Sequence, residues 1–291
     1  MTGLYTLTSP LHDEAAVNAA SASFISEIEE ALGWKFEKHG PDFSTYGSEE
    51  LSLIYVRTGG TEGLFQEVFA NIDGPILLLT SGKSNSLAAS MEILSFLNQQ
   101  GRSGEIIHGS VSYIAERIKV LAQVAKARKV LRGSRLGVIG APSDWLISST
   151  PDASSLYERL GIELVDIPIS ELVEEYHLTD FGHGSEVADK AKAEFESHAP
   201  SALQKYCEGA FKIYCALKSL IKRYELNGLT LRCFDLLDSL GNTGCLALAI
   251  LNAEGIPAGC EGDVPALVSM TIGSALTGVS GFQANPSRID P

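Results

Sequence analysis

Glu261 and Asp263 stand two residues apart in GCEGDVPALVSMTIGSALTG (Gly259 to Gly278), between the end of one apolar segment and the start of another. Carboxylates at such a place have two uses. They cap the helix that comes next, because its first N–H groups lack partners and its dipole favours negative charge. Alternatively, one of them faces a pocket as a hard oxygen ligand for a divalent cation, or as a catalytic base. Local rules alone favour capping, since acids are common at helix starts.

Two further stretches carry candidate ligand contacts. The loop VRTGGTEG follows a strand-like run and holds Arg57, Thr58 and Glu62. Loops at strand carboxyl ends gather ligands in doubly wound sheets, although these glycines equally suit a tight turn. The stretch LTSGKSNSLAAS opens a helix after an apolar run, a place where free N–H groups meet anions, but it lacks the phosphate-loop spacing G-x-x-x-x-G-K-[ST]. Capping of that helix by Ser84 or Asn85 is the local expectation, with an Asn85 contact to an oxyanion or sugar hydroxyl as the alternative.

Several chemistries are absent as motifs. LGVIGAPSDW has no G-x-G-x-x-G, so nothing supports a nicotinamide dinucleotide. The six histidines are scattered without HExxH, and only His183, glycine-flanked in FGHGSE, reads as a pocket-loop residue. There is no G-x-S-x-G elbow. Five cysteines without a CxxC pair argue against a disulfide framework or a zinc ribbon, and fit a reducing cytoplasm.

The elements that must position these residues alternate. TGLYTLTS, LSLIYVRTGG, PILLLTSG and GEIIHG read as strands and are separated by helical patterns. After the long helix SVSYIAERIKVLAQVAKARKVLRG the alternation restarts with RLGVIGAP, IELVDIP, GLTLRCFDLL and IPAGCEGD as strands. The expected fold is α/β: two doubly wound (Rossmann/flavodoxin-like) parallel-sheet domains, residues 1–110 and 111–291. VSGFQANPSRIDP reads as a polar tail.

The 291 residues are 45% hydrophobic, enough for a sizeable core. Thirty-six acids against 22 Lys and Arg give a net charge of −14 and no basic footprint for nucleic acid or anionic lipid. The first twenty residues show no basic segment ahead of a long apolar run, and no apolar run reaches membrane-spanning length. A small-molecule partner in the cytoplasm is expected.

LAILNAEGIPAGCEGDVPALVSMTIGSALTGVSGFQANPSRID resembles the central domain of the L-fucose and L-arabinose isomerase families. Arabinose isomerases share the AEG and, downstream, the EGD; fucose isomerases share the E-x-D followed by elements at the offsets of Met270, Gly273 and Leu276 to Gly278. RTGGTE and SGKSNSLAASMEIL resemble the N-terminal domain of shorter fucose isomerase-like proteins. The resemblance covers most of the chain in order, with Asp144 to Ala199 matched only by pattern.

The resemblance implies an aldose–ketose isomerase of carbohydrate metabolism using Mn²⁺ (or Mg²⁺) and assembled as a homo-oligomer, a trimer or hexamer. It gives Glu261 the role of metal ligand and proton-transfer base. The second carboxylate position falls on Asn285, which can offer an amide oxygen but cannot act as a base; Asp290 is the substitute if the tail curls back. Arg57, Thr58, Glu62, Asn85, His183 and Arg288 are the sugar contacts it suggests. The family's remaining ligand is a histidine in a C-terminal β-rich domain with no counterpart before Pro291, so the sequence is expected to be the larger part of a longer enzyme. The alternative is a non-catalytic sugar-binding or regulatory paralogue with an incomplete metal site.

Overall fold

Runs such as LSLIYV and ILLLT are apolar at consecutive positions, the pattern of parallel strands covered on both faces. The computed structural model, which describes residues 2–149, 152–179, 185–198 and 200–290, realises this twice. The chain divides into two compact units, Met1–Lys126 and Ala127–Pro291.

The first unit is built from β1 (Thr2–Leu7), α1 (Glu14–Leu32), β2 (Glu37–Gly40), β3 (Leu51–Val56), α2 (Glu62–Phe69), β4 (Ile76–Thr80), α3 (Ser86–Gln99) and β5 (Gly104–Ile107), with most of α4 (Val111–Leu131). Its strands are all parallel in the order β2-β1-β3-β4-β5. Alternation sorts their side chains. Leu4, Leu53, Tyr55, Leu77 and Leu79 meet Ile25, Ile28 and Leu32 of α1 and Ile114 and Ile118 of α4. Tyr5, Ile54, Val56, Ile76 and Leu78 meet Phe65 of α2 and Ala89, Ile93 and Leu97 of α3 on the other face.

The second unit continues with β6 (Arg135–Ile139), α5 (Ala153–Leu160), β7 (Glu163–Ile167), α6 (Ile169–Leu178), α7 (Glu186–His198), α8 (Ser201–Tyr224), β8 (Gly228–Leu231), α9 (Asp235–Leu240), α10 (Cys245–Ala253), β9 (Ala258–Cys260) and α11 (Val264–Thr277). Its parallel sheet runs β7-β6-β8-β9. Leu172 of α6, Ile213, Leu217 and Leu220 of α8, and Leu248 and Leu251 of α10 cover one face. Val264 and Leu267 of α11, with Leu131 and Ile162, cover the other. The chain is therefore α/β with two doubly wound parallel sheets.

Several local expectations change. β2, sequence EKHG, and α2 carry too little apolar periodicity to read from sequence: one is a polar edge strand, and the other is two turns long with only Phe65 fully buried. The run GLTLRCFDLL splits, since the strand ends at Leu231 and the chain turns into α9 at Asp235. IPAGCEGD shrinks to the three residues of β9, because Glu261 and Gly262 turn left-handed with φ of 62° and 64°. Neither Ser84 nor Asn85 caps α3. Both have positive φ, 51° and 58°, and no side-chain cap bond forms. Ser86 ties that turn instead, accepting from Thr80 Oγ1 at 2.7 Å and donating to the Lys83 carbonyl at 2.6 Å.

Polar side chains brace the second unit in two places. Glu254 of the AEG motif turns its carboxylate inward, with the side chain 9% exposed, and accepts from Tyr214 Oη at 2.5 Å, Lys218 Nζ at 2.9 Å and the Ser185 hydroxyl. Burial and this carboxylate push the Tyr214 phenol up to about 12. On β9, the Asn252 amide donates to Ala258 O at 2.8 Å and accepts from Ala258 N at 3.0 Å. Gln283 likewise accepts from Cys260 N at 2.8 Å, so the polar tail folds back onto the sheet.

Leu217 is fully buried in α8 at the centre of the second core. Leu217→Ala is expected to lower the unfolding free energy by about 2–5 kcal/mol, read from urea titration followed by circular dichroism.

Candidate active site

In the second unit the chain passes from β6 outward to β7 and then returns to the opposite side of β6 for β8. The strand order thus reverses between β6 and β8, and the region beyond their carboxyl ends is the place where such sheets hold ligands. Three loops reach it: residues 140–145 after β6, residues 232–234 after β8, and Glu261–Asp263 after β9.

A close backbone approach fixes the last of these. A Cβ on Gly262 would stand 2.5 Å from Ala141 O, 3.0 Å from Pro142 Cα and 3.1 Å from Ser143 N. Only glycine allows that contact while also holding φ at +64°. Gly262 N–H donates to Leu231 O at 3.1 Å, and the Ser143 hydroxyl donates to the Glu261 carbonyl. Asp263 has the structural role: its carboxylate accepts from Ala266 N at 2.8 Å and caps α11.

Glu261 is thereby held side chain outward. Its Oε2 accepts from Trp145 Nε1 at 3.2 Å and its Oε1 from Asn285 Nδ2 at 3.2 Å. A carboxylate has about four lone-pair sites, so two donors orient it and leave it able to take a proton or a cation. Trp145 and Phe234, each 49% exposed, lie edge to face with centroids 5.9 Å apart. Arg232 braces this wall through Pro142 O at 3.0 Å, Asp144 Oδ2 at 2.9 Å and Asp235 Oδ2 at 3.1 Å. Its guanidinium holds the Asp144 carboxyl below the usual carboxylate range.

Beneath Glu261 lies a thiol pair. Cys233 Sγ and Cys260 Sγ are 3.4 Å apart, and Cys233 is buried. The Cys260 thiol, followed by the backbone at Glu261, stabilises a Cys233 thiolate and draws Cys233 down to about 6 against the opposing effect of burial; Cys260 keeps its proton and is shifted up.

The first unit has a crevice at the β1/β3 reversal in the strand order. Leu11, His12, Gly60, Glu62, Asn85 and Ala88 line an open pocket of 470 Å³. Gly59 N–H donates to Ser84 O at 2.7 Å, which joins the two loops and holds Ser84 and Asn85 left-handed.

The expected site residues thus have different fates. Glu261 and Asn285 come together. Asp290 instead pairs with Arg288 at 2.7 Å, both of them exposed. Glu62 and Asn85 line the first-unit pocket. Arg57 is 8% exposed and its guanidinium bonds internally, to Thr8 at 2.6 Å and to Asn18 and Glu14. Thr58 is fully buried and accepts from Ser9 N at 2.9 Å. His183 lies outside the described residues. Trp145, Asp144 and Arg232 join the site although no motif marked them; the available signal was that each closely follows a strand.

No protein-family model matches the chain. A sulfoquinovose isomerase from Clostridium sp. (strain MSTE9) is 30% identical over 141 residues, which is 47% of this chain and 31% of that protein. The chain is distantly related to a sugar isomerase. The aligned stretch spans less than a third of that relative's length. Among the described residues, no helix is long and apolar enough to cross a membrane.

Gly262→Ala is expected to cost about 1–3 kcal/mol, the range for a residue forced into a sparsely populated backbone region. Because the loop bonds to Trp145, the same variant in a Trp34→Phe background should shift the tryptophan emission; unchanged stability and emission would count against the Gly262 contact.

Proposed function

We propose that the chain carries the acid–base centre of an aldose–ketose sugar isomerase of the L-fucose/L-arabinose type, with Glu261 as the base. One observation carries the proposal: the Glu261 carboxylate is held outward at the carboxyl end of β9 by donors on either side. The relation to a sulfoquinovose isomerase supports the same reaction class.

Isomerisation moves a proton between adjacent carbons while the neighbouring oxygens exchange carbonyl and hydroxyl character. Glu261 takes the proton from one carbon and returns it to the next, using a lone pair that Trp145 and Asn285 leave free. Trp145 and Phe234 form an apolar wall for the C–H face of a sugar. Arg232, held by two carboxylates, keeps that wall in place.

Mn²⁺ or Mg²⁺ suits the donors present. Among the described residues, no group of three His, Cys, Asp or Glu side chains includes Glu261; Glu261 would offer a carboxylate oxygen, and Asn285, whose Nδ2 faces Glu261 at 3.2 Å, would offer its amide oxygen after the amide turns over. Mg²⁺ commonly binds through one or two protein oxygens and fills the rest of its shell with water and substrate. When bound, the ion supplies positive charge at the two reacting sugar oxygens. In the same reading the protein works in the cytoplasm as a trimer or hexamer on a small sugar, within a longer enzyme.

A second reading, a metal-independent sugar-binding or regulatory protein, is favoured by Asn285, which stands where the family has a carboxylate and already donates to Glu261.

The test is proton NMR in D₂O with pentoses, 6-deoxyhexoses and sulfoquinovose, with and without Mn²⁺. Interconversion with deuterium uptake at the reacting carbon is expected, and Glu261→Gln should slow it by about 10²–10⁴-fold. Full turnover by Glu261→Gln would sink the proposal. Saturable sugar binding without interconversion, equal with and without Mn²⁺, would establish the second reading instead.

A further inference from the structure

Two cysteines lie beside the proposed base and take no part in its proton transfer. Cys233 follows β8 and is next in sequence to Phe234; Cys260 ends β9 and is next to Glu261. The two strands are neighbours in the parallel ladder, with Leu231 opposite Cys260. The pair therefore sits at the carboxyl end of the sheet, where both strands turn away, and its sulfurs are in contact at 3.4 Å.

Three observations distinguish this contact from cysteines that only fill a core. A disulfide needs the sulfurs at about 2.05 Å, a closure of about 1.4 Å that side-chain rotation can supply, because strand pairing and the Gly262 N–H bond to Leu231 O already hold the two backbones side by side. Access is unequal: Cys233 is 1% exposed, whereas Cys260 is half-buried, so a small oxidant meets one sulfur while the other is kept for the second step. The backbones are also unequally held. Gln283 accepts from Cys260 N at 2.8 Å, but Cys233 lies in a turn closed by long bonds, Asp235 N to Arg232 O and Leu236 N to Cys233 O, both 3.3 Å. The Cys233 side yields, and Phe234 moves with it.

We propose that Cys233 and Cys260 form a reversible disulfide under peroxide, a redox switch that ties the aromatic wall of the site to its base. The Cys260 sulfur attacks one peroxide oxygen and passes its proton to Cys233; the O–O bond breaks, and the second oxygen leaves as hydroxide, which solvent protonates to water. The Cys233 sulfur then attacks the resulting sulfenic sulfur, and its oxygen leaves with the Cys233 proton as a second water. Two electrons have passed from the thiols to peroxide. A dithiol reverses the bond by exchange and leaves as its own disulfide. Trp145 registers the change, since it bonds to Glu261 at 3.2 Å and packs against Phe234 at 5.9 Å.

The test uses the full chain in the Trp34→Phe background, where Trp145 is the one remaining tryptophan. After hydrogen peroxide, alkylation and proteolysis, mass spectrometry is expected to find a peptide pair joined through Cys233 and Cys260, with a shift in Trp145 emission; dithiothreitol should reverse both. Cys233→Ser and Cys260→Ser, each checked by circular dichroism, should lose the linked pair and the shift. No linked pair from the native chain, its formation only in urea, or a linked pair with unchanged emission overturns the proposal. Control of turnover rests on the isomerase reading. Oxidation should lower turnover about 10²-fold, the cost of a misplacement near 1 Å, with recovery in dithiothreitol, and full turnover by the linked form overturns the switch. If no sugar is turned over, the isomerase reading fails, and the peptide map and emission still decide the disulfide.

Discussion

Gly262 meets the backbone of residues 141–143 with no space for a side chain, and the position of Glu261 depends on that contact. The loop after β9 is pressed onto the loop after β6, which brings the Glu261 carboxylate within hydrogen-bond reach of Trp145. Residues on separate strands are in this way held in one constellation by backbone, which is stiffer than any side-chain bond between them. The left-handed turn at Glu261 and Gly262 also ends β9 after three residues, leaving the carboxylate at the rim of the sheet instead of within its ladder.

The same winding occurs in both units, and in each the strand order reverses beside the residues of interest. Their linings differ in chemistry. The second-unit site has an outward carboxylate, two exposed aromatic rings and a braced arginine. The first-unit pocket is lined by Leu11 and His12 with small residues, Glu62 and Asn85, and Arg57 of the adjoining loop is committed to Thr8, Asn18 and Glu14. The proposed proton transfer rests on the second of these sites, while the first is an open recess of 470 Å³.

Much of the architecture was legible because parallel strands buried on both faces leave unbroken apolar runs, and LSLIYV, ILLLT and RLGVI all do. What escaped depends on information outside the local window. β2 is polar because it lies at an edge, which only strand order reveals. Ser84 and Asn85 looked like caps, yet the Gly59 contact across the loop forces both into left-handed backbone where a cap bond cannot form. At the candidate site, Asp263 obeys the local capping rule and Glu261 escapes it, and the difference is a tertiary contact at the glycine between them. Trp145 and Arg232 carry no spacing signature because they are adjacent only after β6 and β8 pair. Asn285 is far from Glu261 in sequence, and only the fold-back of the tail brings its amide to the carboxylate.

The side-chain amides on β9 occupy the place of a fifth strand. In a parallel ladder, alternate residues of an edge strand present N–H and C=O outward, and those of Ala258 and Cys260 would be open to any extended chain passing by. Asn252 satisfies both outward groups of Ala258, and Gln283 satisfies the N–H of Cys260. An amide is the one side chain that imitates a peptide unit, donor and acceptor together, so each serves as a single-residue substitute for a neighbouring strand. The tail that brings Asn285 to the carboxylate therefore joins Asn252 of α10 in closing the sheet against edge-to-edge association, so that edge protection and site assembly share one segment.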